Sequence, residues 1–339
     1  MPDARTTRPQ PDPAVVSDAT AVPEVVPRTA VVTLCDGDFH FGAAALANSL
    51  ARHGFRGTLW VGTRGDLPAW AGGAATEGRV RRLAVADGFD VRFFPLATGG
   101  LLSFQKARAL LHVLDDLAGD ADRLFFFDAD IVVKNEWAVF EEWAAEGAAV
   151  CLDISDPYML PGHPRRRFWA RMLERQGLPV RPVTGYYTAG FLGLDRRDRA
   201  LLEVWARLVD RLPEEGRPLH VRRFRTRASP LHFMDQDMFN AALMAVDVPL
   251  APIGPDAMDA LFPYNHYMAH AYWRQKPWTR DYVRDALRGF PPDKAHSEFW
   301  KYLDGPIRPF AAAEHRRRVR NLKLGKLIGR FYARPSVED

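Results

Sequence analysis

Short apolar runs alternating with amphipathic stretches through residues 30–253 predict an α/β fold, a mixed but mainly parallel sheet flanked by helices in one large domain. Two observations carry this. The first is the strand–helix–strand order of residues 30–34, 41–52 and 57–62, the unit of a right-handed parallel sheet. The second is the stretch 123–133. There Leu124-Phe125-Phe126-Phe127 runs straight into Asp128-Ala129-Asp130, and Ile131-Val132-Val133 follows. So apolar a run reads as a strand buried on both faces. In open α/β sheets the carboxyl ends of such strands border the ligand crevice. Two carboxylates two residues apart at that edge can close on one hard cation.

The elements follow in order. Residues 1–28 are rich in Pro, Ala, Thr and Asp without an amphipathic period, which predicts a disordered leader. Residues 30–34 form the first strand and Asp36-Gly37-Asp38-Phe39 the turn after it. A helix over 41–52 closes at His53-Gly54. Strands are expected at 57–62 and 90–94, and a helix over 104–117 with Ala107, Leu110, Leu111, Val113 and Leu114 on one face. After the 123–133 stretch come a helix over 137–145 and a strand over 148–152 ending at Asp153. Residues 161–167, with one Gly, two Pro and three Arg, read as a mobile loop. The strand predicted over 187–194 holds Gly190 and Gly193, and strand glycines mark close approach of backbone or ligand. Helices are expected over 200–212 and 235–246, with a strand at 248–253. Five arginines between 217 and 227 suit either a solvated loop or an anion-facing lid. Residues 258–305 read as irregular and aromatic-rich.

Composition narrows the function. The chain has 339 residues, 47% apolar and 26% charged, the balance of a soluble globular protein. No uncharged apolar run approaches the ~20 residues that span a bilayer. A basic-then-apolar leader is missing, so a cytoplasmic location is expected. Cys35 and Cys151 each sit in an apolar strand and read as buried thiols. Eight Lys or Arg and no acid fall between 316 and 334; with that +8 set aside, the net +4 becomes about −4 for the remainder. The body is therefore not a nucleic-acid-binding surface. The basic stretch over 315–334, with Leu322, Leu327, Ile328 and Phe331, reads as an amphipathic segment suited to anionic lipid or to solvent.

Asp-x-Asp spacing recurs at 36–38, 120–122 and 235–237, so the spacing alone says little. Taken singly, Asp36 and Asp38 are turn formers, Asp235 an N-cap, His270 a packed imidazole and Lys276 a surface lysine. Their order along the chain is more specific. Cys35-Asp36-Gly37-Asp38-Phe39 with Asn48-Ser49-Leu50, Phe127-Asp128-Ala129-Asp130, Tyr186-Tyr187-Thr188-Ala189-Gly190, Asp235-Gln236-Asp237, and His270 followed by Lys276-Pro277-Trp278 together resemble a retaining glycosyltransferase of the GT-A (Rossmann-like) fold, family 8, which includes glycogenins and lipopolysaccharide galactosyltransferases. The resemblance covers roughly residues 29–280. Two positions depart from the pattern: Thr188 stands where Asn is usual, and Tyr272-Trp273 where a Gly follows the histidine.

The resemblance implies roles. Asp128, Asp130 and His270 would ligate Mn²⁺ (or Mg²⁺). Asp36 and Asp38 would face the base and ribose of a nucleotide sugar, with uridine as the base. Lys276 would meet the diphosphate, and either Lys106 or Arg108 the donor. Asp235 and Gln236 would lie beside the anomeric carbon as the catalytic pair. The implied reaction moves a hexose to an acceptor hydroxyl with retention. Two other functions fit a similar sheet: a sugar-phosphate nucleotidyltransferase and a non-catalytic nucleotide-sugar-binding protein. The former calls for a Gly-rich basic loop after the first strand, where this chain has the acidic Asp36-Gly37-Asp38. The implied organisation is a leader over 1–28, a GT-A body over 29–305 and a basic tail over 306–339.

Overall fold

The chain opens with β1 (Thr29–Cys35), a single 3₁₀ turn, α1 (His40–Arg52) and β2 (Gly57–Thr63). A hairpin follows, β3 (Ala75–Glu77) and β4 (Val80–Ala86), leading to β5 (Phe89–Pro95). Next come α2 (Lys106–His112), β6 (Arg123–Phe127), β7 (Ile131–Val133), α3 (Trp137–Ala145), β8 (Ala148–Cys151) and α4 (Pro164–Arg175). The remainder is β9 (Phe191–Asp195), α5 (Ala200–Asp210), α6 (Met234–Ala245), β10 (Leu250–Ile253), β11 (Met268–His270), α7 (Tyr282–Leu287), α8 (Lys294–Tyr302) and α9 (Ala312–Phe331). This computed structural model describes residues 28–96, 99–216, 219, 231–259, 267–273 and 275–332.

Nine strands form one sheet in the order β10-β8-β9-β6-β1-β2-β5-β4-β3. β6, β1, β2 and β5 lie parallel to one another, as do β8 and β10, while β4 and β9 run against their neighbours. This is the mixed, largely parallel sheet of a GT-A-type fold. Both faces are covered, and β6 shows how. Leu124 and Phe126 point into one apolar layer with Val32, Trp205 and Phe239. Phe125 and Phe127 point into the other with Val31, Phe140 and Phe191. The two-residue strand period makes a continuous apolar run necessary wherever both faces are buried.

A second, two-stranded sheet pairs β7 with β11 antiparallel, matching His270 to Ile131 and Met268 to Val133. β7 follows directly on the carboxyl end of β6, and the pair packs against α1 and α8.

The expected elements of the first 153 residues are present, with ends moved by one or two positions. The hairpin of β3 and β4 is an addition: β3 is exposed throughout, and β4 alternates half-buried with exposed residues along most of its length. The 104–117 helix begins as a 3₁₀ turn and ends in a π turn over Val113–Leu117. The expected 187–194 strand starts only at Phe191; before it the chain makes single bridges, Leu152 to Tyr187 and Tyr158 to Gly185.

Residues 161–167 are not a loop throughout. Pro164 opens α4, and the His163 ring accepts from the Arg165 N–H. Two of the segment's three arginines are internal, and Arg167 is exposed. Arg165 pairs with Asp156, and Arg166 donates to the carbonyls of Met159 and Gly185. The 258–305 segment likewise contains β11, α7 and α8. The leader, apart from Arg28, and the arginine-rich stretch 217–227, apart from Leu219, lie outside the described residues. Both cysteines are buried free thiols, and burial together with Asp36 pushes Cys35 up to about 12.

Residues 306–332 are packed against the body. The side-chain amide of Asn48 donates to the Ile307 carbonyl and accepts its N–H. On α9, a Cβ added at Gly325 would lie 2.6 Å from the Tyr282 carbonyl oxygen, and one at Gly329 2.4 Å from the Pro291 side chain. Each glycine weakens a helix by ~1 kcal/mol, yet these two let α9 lie against α7 and the turn after it. Among the described residues no helix is long and apolar enough to cross a membrane.

Candidate metal centre

β6 delivers Asp128 and Asp130 to the sheet's carboxyl edge, and the Asp128 N–H donates to the Gly190 carbonyl just before β9 (2.8 Å). The β7–β11 ladder then carries His270 alongside, extended by the Ala271 N–H donating to the Asp130 carbonyl (3.0 Å). His270 Nε2 lies 3.2 Å from Asp130 Oδ1. One ligand atom from each of Asp128, Asp130 and His270 falls within 4.8 Å of the others.

These residues fit a divalent cation. Bonds of ~2.0–2.2 Å put ligand atoms up to about 4.4 Å apart across one ion, so the triad needs only slight closure. Two carboxylates and an imidazole form a donor set suited to first-row divalent ions. Gly190 leaves the space: a Cβ there would stand 3.1 Å from Asp128 Oδ2 and 3.2 Å from His270 Cε1.

Two buried lysines meet the carboxylates. Lys106, the first residue of α2, places Nζ 2.8 Å from Asp128 Oδ1, 3.6 Å from Asp235 Oδ2 and 2.9 Å from the Ala189 carbonyl. Lys276 places Nζ 2.5 Å from Asp130 Oδ2 and 2.7 Å from the Ala271 carbonyl. Burial alone would raise the Asp130 carboxyl, but Lys276 and His270 outweigh it and hold the group well below the usual carboxylate range. Arg108 is not at the centre: two helical positions beyond Lys106 it faces outward and pairs with Asp210 on α5.

Asp235 and Gln236 reach the same region from the start of α6. Gln236 Nε2 donates to Asp153 Oδ2 (3.0 Å), and its Oε1 accepts from the Ala189 N–H (3.3 Å). Asp235 is not an N-cap. The N-cap is Phe233, whose N–H donates to Asp237 Oδ2 one turn into the helix at 2.9 Å, while Tyr186 donates to Asp237 Oδ1 at 2.8 Å. Burial pushes Asp237 up to about 8, against the lowering effect of those bonds and of Arg165.

Asp36 and Asp38 lie in the turn after β1, outside the triad. Asp36 pairs with Arg64, which also donates to the Gly100 carbonyl (2.7 Å). Phe39 links this turn to the centre: its ring meets Trp278 edge-on at 5.5 Å and lies 5.8 Å from the Lys276 ammonium.

Three residues that the motifs did not single out shape the site. Asp153 orients Gln236, and its place at a strand's carboxyl end was the available signal. Arg64 holds Asp36. Gly42 lets α1 touch the turn between Asp128 and Asp130, since a Cβ there would lie 2.0 Å from the Ala129 carbonyl oxygen. No local pattern marks these last two.

The fold and the site together define an α/β protein of GT-A type with a candidate divalent-cation centre. No family model and no curated protein matches the chain. Solved structures do match: one is an apo structure of the WbbM bifunctional glycosyltransferase, similar at TM-score 0.53 and 15% identity over 87% of this chain. The chain spans about half of that protein, 52% of its length. At that identity the likeness is one of fold.

Proposed function

We propose that the chain is a metal-dependent glycosyltransferase that moves a hexose from a nucleotide sugar, a UDP-sugar in our reading, to an acceptor hydroxyl with retention of configuration, as in family 8. The observation that carries this is the meeting of Asp128, Asp130 and His270 with Lys106, Lys276 and Asp235, brought from four separate stretches of chain. The fold shared with a glycosyltransferase supports it.

In this reading Asp128, Asp130 and His270 hold Mn²⁺ or Mg²⁺. Such an ion, when bound, offsets the charge that gathers on the departing diphosphate. Lys276 meets the same charge from the other side. Lys106 holds Asp128 and Asp235 in place and lies where a donor oxygen would pass. Asp235, free of capping, faces the positive charge that develops on the sugar ring. Gln236, fixed at both ends by Asp153 and Ala189, shapes the wall beside it. Asp36 and Asp38 take the ribose and base, with Arg64 keeping Asp36 oriented. The departing phosphate oxygen takes the acceptor proton, so attack and departure share one face. The catalytic body is residues 29–305.

A thermal-shift panel of nucleotide sugars with and without Mn²⁺ tests the donor. A native-state ligand raises stability as RT ln(1 + [L]/Kd). A UDP-sugar is expected to raise the melting temperature only with Mn²⁺; if no nucleotide sugar does so, the reading fails. Proton NMR of the first product reads the stereochemistry, and an inverted anomer would exclude the proposed class.

We also propose a location in the cytoplasm and peripheral contact between 315–334 and anionic lipid. With Leu322 turned inward, α9 leaves Arg316, Arg320, Lys323, Lys326 and Leu327 outside, and Phe331 is 85% exposed. Vesicle co-sedimentation should depend on anionic lipid and be lost in an Arg316/Arg320/Lys323 to Glu variant.

A further inference from the structure

Each carboxylate of the Asp128–Asp130 pair carries its own buried ammonium. Lys106 is 6% exposed and Lys276 8%. Burying an ammonium is costly unless it is paired, and here both are paired to the residues that form the candidate metal triad. Lys106 takes Asp128 at 2.8 Å and Lys276 takes Asp130 at 2.5 Å. Asp235 adds a third carboxylate beside Lys106 at 3.6 Å. Asp36 adds nothing, because Arg64 holds it. Three carboxylates against two ammoniums leave one negative charge in an enclosed site. A lone divalent cation gains little there, and it must compete with ammoniums already in contact with two of its ligands.

A nucleoside diphosphate changes that balance, because its phosphates carry several negative charges. We infer that Lys106 and Lys276 are exchange partners, holding Asp128 and Asp130 until a diphosphate arrives and then trading carboxylate oxygen for phosphate oxygen, so that cation and diphosphate load together. This rests on reading the site as the donor's diphosphate centre. The side chains suit the exchange. A lysine ammonium is a point charge on a flexible stem and needs no fixed fork geometry. The Ala189 and Ala271 carbonyls each keep one hydrogen bond to the ammonium. The lysines therefore oppose the cation when it comes alone and favour it when it comes with phosphate.

The sign of the mutational effect separates this from a structural role. Removing an ammonium frees a carboxylate for the cation and removes a partner of the phosphate. A merely structural lysine would weaken both ligands when lost. The experiment is a Mn²⁺ titration of the full chain, read by the EPR signal of free Mn²⁺, with and without UDP, after subtraction of Mn²⁺–UDP formation in a protein-free titration.

For the wild type, UDP should tighten Mn²⁺ by about tenfold or more, a coupling that must be reciprocal. Lys276→Met and Lys106→Met should each bind Mn²⁺ alone about tenfold more tightly than the wild type, with weaker UDP binding at saturating Mn²⁺. Lys276→Arg, which keeps the charge, should leave Mn²⁺ alone as weakly bound as before. Folded methionine variants that bind Mn²⁺ alone no more tightly overturn the exchange. So does a wild type that binds Mn²⁺ equally well with and without UDP, a result independent of whether the variants fold. A wild type that takes up no Mn²⁺ under either condition overturns the metal centre itself and the exchange with it.

Discussion

Gly42 shows how little room the site leaves at the residue scale. A Cβ there would sit 2.0 Å from the carbonyl oxygen of Ala129, which is backbone and cannot rotate away. Ala129 separates the two carboxylates of the candidate metal centre, so whatever moves it moves them. Gly42→Ala should cost about 1–3 kcal/mol by overpacking and weaken Mn²⁺-dependent UDP binding. Denaturant unfolding and calorimetry would measure the two effects. A variant with wild-type stability and binding would show that α1 does not approach so closely. Asp237 makes a different prediction. Burial pushes its carboxyl up to about 8, above the ordinary carboxylate range, so the folded state keeps the proton longer than the unfolded state. Its contribution is fully present below the unfolded value and is lost as pH rises toward 8. Asp237→Asn should therefore flatten the fall in melting temperature between about pH 4 and pH 8. An unchanged slope would mean that Asp237 is ionised in the folded protein.

At the scale of elements, the three-residue ladder of β7 and β11 contributes most to the site for its length. It sets His270 beside Asp130 by strand register rather than by a loop, and a one-residue slip would turn the imidazole to the other face. The segment after it is buttressed from α9, where the Arg318 guanidinium donates to the Trp278 carbonyl at 2.7 Å, two residues beyond Lys276. Packing of α9 depends on Gly325. Gly325→Val should undock the helix, because its branched side chain would meet the Tyr282 backbone. Limited proteolysis should then cut within 312–331 much faster than in the wild type, and equal rates would refute the packing. The same scale explains why 161–167 and 258–305 were misread. Arginines and irregular aromatics usually mean surface. Here Arg165 and Arg166 are buried because the Asp156 carboxylate and the carbonyls of Met159 and Gly185, in the flanking segments, fold over to meet them.

For the whole molecule, the centre is an agreement between segments far apart in sequence. Lys276 lies 146 residues beyond the Asp130 carboxylate it contacts. If the triad holds the cation, chelation should abolish turnover and Mn²⁺ restore it. His270→Ala should lower metal-dependent UDP affinity about tenfold or more while changing unfolding free energy little, because the ligand is second in importance to the ladder's backbone pairing. Loss of stability without loss of metal-dependent binding would assign His270 to the fold and take it out of the site.

The local sequence determined the sheet's inner strands, the flanking helices and the carboxyl-edge position of Asp128 and Asp130. Those features depend on period and on apolar runs, which are properties of neighbours in the chain. The order of motifs also marked Asp36, Asp38, Lys106, Asp235, Gln236, His270 and Lys276 as candidates. Only the tertiary structure placed Lys106 beside Asp128 and Arg108 against Asp210 of α5, and put Gly42 against Ala129. It also made α9 a packed element through Gly325 and Gly329. Each of those outcomes depends on which distant backbone or charge arrives at a side chain, and such contacts leave no periodic trace in the residues around it.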